Sequence, residues 1–474
     1  MDIFDFDNPE EEFDDPGKPK KNFEDEIKQF RERLKDEGGG STNIEALEEI
    51  VNYYFEKESY TEAFHFIELL LKYIPYSADT WQRKGVILNN LHRHDEALES
   101  FDKALSMNPV DSELLVSRGV TLDNMGRHEE ALLCLEQALD LDPNNEEALF
   151  SKAVTKEKMD KFDEAVRIFQ FILESNPTHK EAWYELAYCF DLMEKYKQSL
   201  ECYDKHIDLD PYNYNAWYNR GIVLNRLAQY TKSIESYEMA LAIKEDFTAA
   251  WYNKGNAFAN MGRLYDALDC YKQTIRLDQK DVPSWHNMGN AYQELSLYKE
   301  AIKCFTQAIK YDSEHYESFF GRGSCYDSLE QYRKALADYN KAISICRDYP
   351  ELWYAKADVS YNLGRWRDAL ISYKTVVRLD PGNADAWYDL AETLFEYGYF
   401  RESLKAYNKC ITAKPKWSDP YYSRAKVLFL LRKTYDAVES LKTSFQLDPE
   451  KKKVFESEFP GVRSLREFTH LLEK

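Results

Sequence analysis

The chain has 474 residues, 15% of them aromatic, and a formal net charge of −22. So acidic a balance argues against a nucleic-acid binder, because phosphate recognition needs a basic stripe, and against docking on anionic lipid. No apolar run approaches the ~18 residues of a membrane span. The first fifteen residues hold eight carboxylates and no Lys or Arg, the reverse of a secretory leader, so a cytoplasmic protein without membrane insertion is expected.

In chain order, residues 1–21 interleave Ile3, Phe4, Phe6 and Phe13 with Asp and Glu. Such a stretch buries too little to fold alone. It reads either as a solubilising tail or as a short motif that docks on a partner or, intramolecularly, in this protein's own groove. From Asn22, a plausible N-cap, Phe23, Ile27, Phe30 and Leu34 fall on one helical face, which predicts a short amphipathic helix over about 23–36. Glycines 38–40 then form a hinge, which completes an N-terminal segment of 1–43.

From Ile44 the chain repeats. Units of 34 residues begin at Ile44, Ala78, Ser112, Glu146, Lys180, Tyr214, Thr248, Val282, Tyr316, Pro350, Ala384 and Ser418, twelve in all, ending at Lys451 without insertion or deletion. In the seventh, Trp251, Gly255 and Phe258 lie on one face of a first helix, Met261-Gly262-Arg263 breaks it, and Ala267, Tyr271 and Thr274 repeat the spacing on a second. Two such helices cannot bury their apolar faces alone, so each unit needs neighbours.

Position 4 is Trp in seven units, position 8 is Gly or Ala in eleven (Val51 is the exception), position 20 is Ala or Ser in all twelve, and position 32 is Pro in eight. Small residues at 8 and 20 let the helix backbones approach. The ring at 4 fills the gap to the next hairpin, where it buries roughly 150–250 Å². Proline disfavours helix in the residue before it, and a nearby Asp, Asn or Ser caps the next helix. Glu245, Gln279, Ser313 and Arg347 replace the proline in four successive units, where altered local curvature is expected. After Lys451, Val454, Phe455 and Phe459 predict one more first-type helix, and Val462, Leu465, Phe468, Leu471 and Leu472 a last one. Residues 452–474 read as a C-terminal cap.

The period and the pattern W-x2-[LKR]-G-x2-[YLF]…A-x3-[FY]-x2-A…P resemble the tetratricopeptide repeat family over residues 44–451. The resemblance implies an all-α fold, a right-handed superhelical solenoid of antiparallel helix hairpins. It also implies a groove lined by the first helices, with positions 2, 5, 9, 12 and 13 facing in and position 6 beside them. On this sequence those positions place Tyr184, Tyr218 and Tyr252 at position 5, Asn219, Asn253 and Asn287 at position 6, and Asn256 and Asn290 at position 9. The amides are similar to the asparagine ladder with which the array of O-linked N-acetylglucosamine transferases grips extended peptides. The same asparagines could instead bond to a neighbouring unit and serve packing. The clamp that holds a C-terminal carboxylate in some family members is not evident, since position 5 never carries lysine.

No P-loop, dinucleotide fingerprint, zinc-protease or serine-hydrolase motif occurs. No catalytic residue, metal ligand or cofactor is assigned. His94 and His128 stand at position 17, where other units carry Tyr or Phe, and His92 reads as a turn residue. Six of the eight cysteines fall at positions 10 and 23, those at the same position lying in separate units, so they read as reduced packing residues. The expected function is a non-catalytic scaffold that binds extended peptide or protein segments. The alternative is a targeting or regulatory subunit of a separately encoded enzyme, a transferase or a phosphatase.

Overall fold

The computed structural model describes residues 44–459 together with Ile27. Among the described residues every regular element is an α-helix. They fall in two bodies, repeats 1 to 5 in one and repeats 6 to 12 in the other, with the division between Pro211 and Tyr212. Within each body successive hairpins stack side by side.

Every first helix begins at position 1 and runs 13 residues, as in Thr248–Asn260, and every second helix begins at position 17 and runs 14, as in Leu264–Leu277. The starts are set by caps in the residue before position 1. Ser77, Asp111, Asn145, His179, Asn213, Asp281, His315 and Asn383 each accept from a backbone N–H in the first turn. Such caps are worth roughly 0.5–2 kcal/mol each. The capping expected from sequence therefore holds, with His179 and His315 joining Asp, Asn and Ser in the role.

The tryptophan at position 4 does more than fill space. Its indole N–H donates to the carbonyl at position 32 of the preceding repeat, as Trp81 does to Pro75 at 2.9 Å and Trp387 to Pro381 at 3.1 Å. The same bond forms where proline is replaced: Trp251 to Glu245, Trp285 to Gln279 and Trp353 to Arg347. Tyr421 reproduces it through its hydroxyl to Pro415. Loop and next helix are thus joined at three of the four proline-free loops, the fourth, at Ser313, being followed by Phe319, and the helices flanking all four keep the common bounds.

Inside a repeat, residue 8 lies against residue 24. A Cβ built on Gly255 would stand 2.7 Å from Tyr271 Cε1, and one on Gly85 2.5 Å from Phe101 Cε1. All twelve residues at position 20 are buried. Ser233 and Ser403, at that position, donate to the carbonyl of residue 8 of their own repeats, Gly221 and Ala391, at 2.7 and 2.8 Å. The backbones approach as the small residues require.

Each first helix ends in a left-handed residue at position 15. Four of these are glycine; the other eight are Glu58, His92, Asp160, Glu194, Ala228, Ser296, Glu330 and Arg432, with φ between 54° and 60°. The chain there closes the helix with N–H groups donating back into its last turn, as Ala228 to Asn225 and Gln229 to Leu224, both at 2.9 Å. His92 is accordingly a turn residue.

At the N-terminal end Ile27 is helical and buried against Leu47, Ile50 and Val51 of the first repeat. The rest of the expected helix 23–36, the acidic tail 1–21 and the glycine hinge lie outside the described residues. At the other end, Glu450–Glu458 is a helix whose Phe455 packs with Tyr422, Ala425 and Leu441. It starts two residues inside the twelfth counted unit, and the expected final helix beyond 460 lies outside the described residues.

The left-handed turn yields a test. An L-residue in this conformation costs roughly 1–2 kcal/mol, partly offset in glycine by the greater freedom of the unfolded chain. Ala228 is exposed, so Ala228→Gly is expected to raise the midpoint of urea unfolding by about 0.5–1 kcal/mol equivalent, and Ala228→Val to lower it.

Candidate functional site

Seven of the eight residues singled out from sequence lie in the second body, and Tyr184 lies in the first. Tyr184 sits edge-on to Tyr203 and His206, with ring centroids 5.8 and 5.3 Å away. Asn219 is half-buried on the first helix of repeat 6.

The remaining six lie on three successive first helices, Tyr214–Arg226, Thr248–Asn260 and Val282–Glu294, and five of them bond from one helix to the next. Asn253 Nδ2 donates to Tyr218 Oη at 2.8 Å, and Asn287 Nδ2 to Tyr252 Oη at 3.0 Å. Asn287 Nδ2 also donates to Asn256 Oδ1 at 2.9 Å, and the same oxygen accepts from Tyr271 Oη at 2.8 Å. Asn290 is exposed and donates to His286 Nε2 at 3.0 Å. Burial holds the His286 imidazole neutral, its pKa pushed down to about 4, which suits an accepting Nε2 and an Nδ1–H donated to Ser318 Oγ at 3.1 Å.

The tyrosines are therefore not only apolar walls beside the asparagines; they orient them. A side-chain amide has two donors and an acceptor. Among the described residues, Asn253 and Asn287 spend donors on their neighbours and keep Oδ1 without a hydrogen-bond partner. Both side chains are half-buried. The row is an array of pre-aimed carbonyl acceptors.

Sequence reading missed two things. The buried tyrosine hydroxyl at position 24 anchors position 9 in repeats 7, 10 and 11. In repeats 10 and 11, moreover, carboxylates take the places of the amides, and at position 6 the tyrosine hydroxyl changes from acceptor to donor. Tyr373 Oη donates to Asp358 Oδ1 and Tyr407 Oη to Glu392 Oε1, both at 2.6 Å, while Tyr354 Oη donates to Asp389. Burial pushes the Asp358 carboxyl up to about 6, helped by the charges of Asp389 and Asp327 and opposed by the Tyr373 hydrogen bond. In the first body burial likewise pushes Glu157 up to about 7 and Glu185 to about 6. Among the described residues no helix is long and apolar enough to cross a membrane, and no group of three or more His, Cys, Asp or Glu is arranged to hold a metal ion. The cysteines at positions 10 and 23 are buried.

Models of the tetratricopeptide repeat match residues 78–110, 112–145, 181–213, 248–281, 282–315 and 316–349, and two further models of the same repeat match 354–416 and 202–235. The chain belongs to the tetratricopeptide repeat family. No curated protein matches this tetratricopeptide repeat chain significantly. Among solved structures it is similar to the C-terminal part of a TPR repeat-containing protein from Cytophaga hutchinsonii, at 19% identity over 50% of this chain and 97% of that one, with a TM-score of 0.45. It is also similar to YrrB, described as a TPR protein with an unusual peptide-binding site, at 25% identity over 38% of this chain and 94% of that one, TM-score 0.35. A third similarity is to the Cut9–Hcn1 hetero-tetramer of the APC/C, at 12% identity over 91% and 96%, TM-score 0.39.

The repeat-7 and repeat-10 networks predict a pH effect. Asn256 shows that an amide accepts the position-24 hydroxyl equally well, so Asp358→Asn keeps the bond and removes a desolvated charge. The folded-state pKa of about 6 lies above the usual carboxylate value near 4, so the folded protein binds the extra proton and wild-type stability falls as pH rises from about 4 to about 6. Denaturation midpoints of Asp358→Asn should match wild type near pH 4 and exceed it above pH 6, by no more than about 3 kcal/mol.

Proposed function

We propose that this tetratricopeptide repeat protein is a non-catalytic scaffold that holds extended segments of other proteins along the first helices of repeats 6 to 8. The observation that carries the reading is the amide row itself. Asn253 and Asn287 are fixed by Tyr218 and Tyr252 of the preceding repeats, and each keeps a carbonyl free. An extended peptide presents an N–H at alternate residues whatever its side chains, so such a row binds backbone rather than sequence. The amides need no reorganisation on binding, which removes part of the ordering cost. The tyrosines add contact area with few rotatable bonds, the kind of residue that dominates protein interfaces. Partners are proteins or peptides met in the cytoplasm.

Peptides selected from a displayed random library against the full chain supply the probe. Asn253→Ala with Asn287→Ala removes two hydrogen bonds of roughly 0.5–1.5 kcal/mol each. Affinity per folded molecule should fall about 5- to 150-fold, alongside a loss of stability from the orphaned tyrosine hydroxyls. Asn253→Asp alone should keep the tie to Tyr218, with the hydroxyl now donating as Tyr354 does to Asp389, so it should be more stable than Asn253→Ala and keep most of the affinity through the second carboxylate oxygen. Stability loss in the alanine variant with unchanged affinity per folded molecule would make the row a packing device alone.

A further inference from the structure

The negative charge is not evenly spread. In repeats 2 and 3 the second helices, His94–Met107 and His128–Leu141, each hold four carboxylates, against one Lys in the first and no Lys or Arg in the other. In repeats 8 to 11 the four second helices each hold three Lys or Arg against a single Asp or Glu. One of those four carboxylates, Asp338, is taken up by a two-pronged bond from Arg322 of the first helix, at 2.7 and 2.8 Å. A cationic band thus runs across four consecutive second helices of an acidic protein. Lys303 pairs with Glu300, but in repeats 10 and 11 the cations are left over: among the described residues Lys374, Arg378, Lys405 and Lys409 form no ion pair, and all four are exposed.

The band contains troughs. Between repeats 10 and 11 a trough of about 540 Å³ has Trp387, Val377, Leu390 and Leu394 among its lining, with Lys374, Lys405 and Lys409 beside them and Glu402 as its single carboxylate. The equivalent trough between repeats 9 and 10, about 500 Å³, is built around Trp353 with Arg347, Lys356 and Arg378. In the first body the corresponding trough at Trp183, about 450 Å³, keeps the apolar floor but reverses the charge. Glu201 stands at the repeat position of Lys405, Gln170 at that of Lys374, and Glu174 at that of Arg378. The same packing accommodates either sign, so the cations are not there to hold the repeats together.

We propose that the second helices of repeats 9 to 11 form a separate docking surface for an acidic protein segment carrying apolar side chains. Its carboxylates meet Lys374, Arg378, Lys405 and Lys409, and an apolar side chain enters the trough at Trp387. The complementarity is of both kinds at once. A charge match alone would serve any polyanion, but the apolar floor contributes only to a ligand with apolar groups to bury, at about 25 cal/mol per Å². A nucleic acid is repelled by the charge of the rest of the chain. This surface does not depend on the asparagine row.

The test uses the full chain and a short fluorescein-labelled peptide with two phenylalanines set among aspartates and glutamates, followed by fluorescence anisotropy. The expected result is binding that weakens with added salt, as exposed charge pairs do. Lys374→Glu, Lys405→Glu and Lys409→Glu together should weaken it more than tenfold with helicity unchanged, and replacing the peptide's phenylalanines by serine should weaken it several-fold. Asn253→Ala with Asn287→Ala should leave this affinity unchanged, which separates the surface from the amide row. Three results would overturn the proposal: equal affinity for the triple variant, competition by polyuridylate as effective as by unlabelled peptide, or a concentration-dependent dimer in sedimentation that the triple variant abolishes, which would give the band to a second copy.

Discussion

The structure depends on one close approach repeated along the chain, residue 8 of the first helix against residue 24 of the second. Where residue 8 is glycine, an added methyl group has no room: the ring of Tyr271 would lie 2.7 Å from a Cβ on Gly255. Where it is alanine, as at Ala187 against Tyr203 or Ala357 against Tyr373, the helices accommodate the methyl and both residues stay buried. The hairpin is therefore tuned at the scale of one carbon atom, as a close-packed interior demands. A hairpin so closed still leaves an apolar flank on each side, and the next hairpin covers it. Where position 4 is tryptophan, the indole-to-loop bond then ties the repeat to the loop before it, independently of the loop's own side chain.

That division of labour frees the remaining positions. Once 4, 8, 20 and 24 carry the stack, positions 5, 6 and 9 of the first helix and 22, 25 and 29 of the second can vary from repeat to repeat without changing the fold. The chain uses this freedom in both directions. Its first helices pass from amides at Asn253, Asn256 and Asn287 to carboxylates at Asp358, Asp389 and Glu392, each tied to a tyrosine hydroxyl, which accepts from Asn253 and Asn287 and donates to the others. Its second helices pass from acidic in repeats 2 and 3 to basic in repeats 8 to 11. A scaffold with uniform geometry and changing chemistry can present different surfaces along its length, which is how a quasi-linear array serves more than one contact.

How much of this is legible in the sequence follows from what recurs. Trp251, Gly255 and Ala267 are readable because the same residue type returns every 34 positions, and one physical reason covers all copies. The left-handed turn at position 15 is hidden, because Ala228, Glu330 and Arg432 occupy a conformation usually announced by glycine. The role of Tyr218 is half visible: its periodic spacing places it near the asparagines, but repeat counting shows equivalence between copies and not that residue 5 of one repeat bonds residue 6 of the next. The basic band on the second helices is invisible for another reason. A whole-chain charge of −22 averages over faces, and only the helix boundaries separate Lys405 and Lys409 from the carboxylates of the helix before them.

The central claim is that each repeat is held by position-specific contacts to its neighbours alone, and the most direct test is to remove one. Deleting 248–281 joins repeat 6 to repeat 8 in register. Asn287 then falls where Tyr218 can bind it, and the carbonyl of Glu245 falls where Trp285 can donate to it. The account predicts a folded protein with helical signal reduced by one repeat's share and a cooperative unfolding transition. Deleting 248–264, half a unit, should instead give an aggregating or poorly cooperative chain, because a second helix would follow a second helix. Equivalent folding of the two deletions, measured by far-ultraviolet circular dichroism and urea unfolding, would contradict the account.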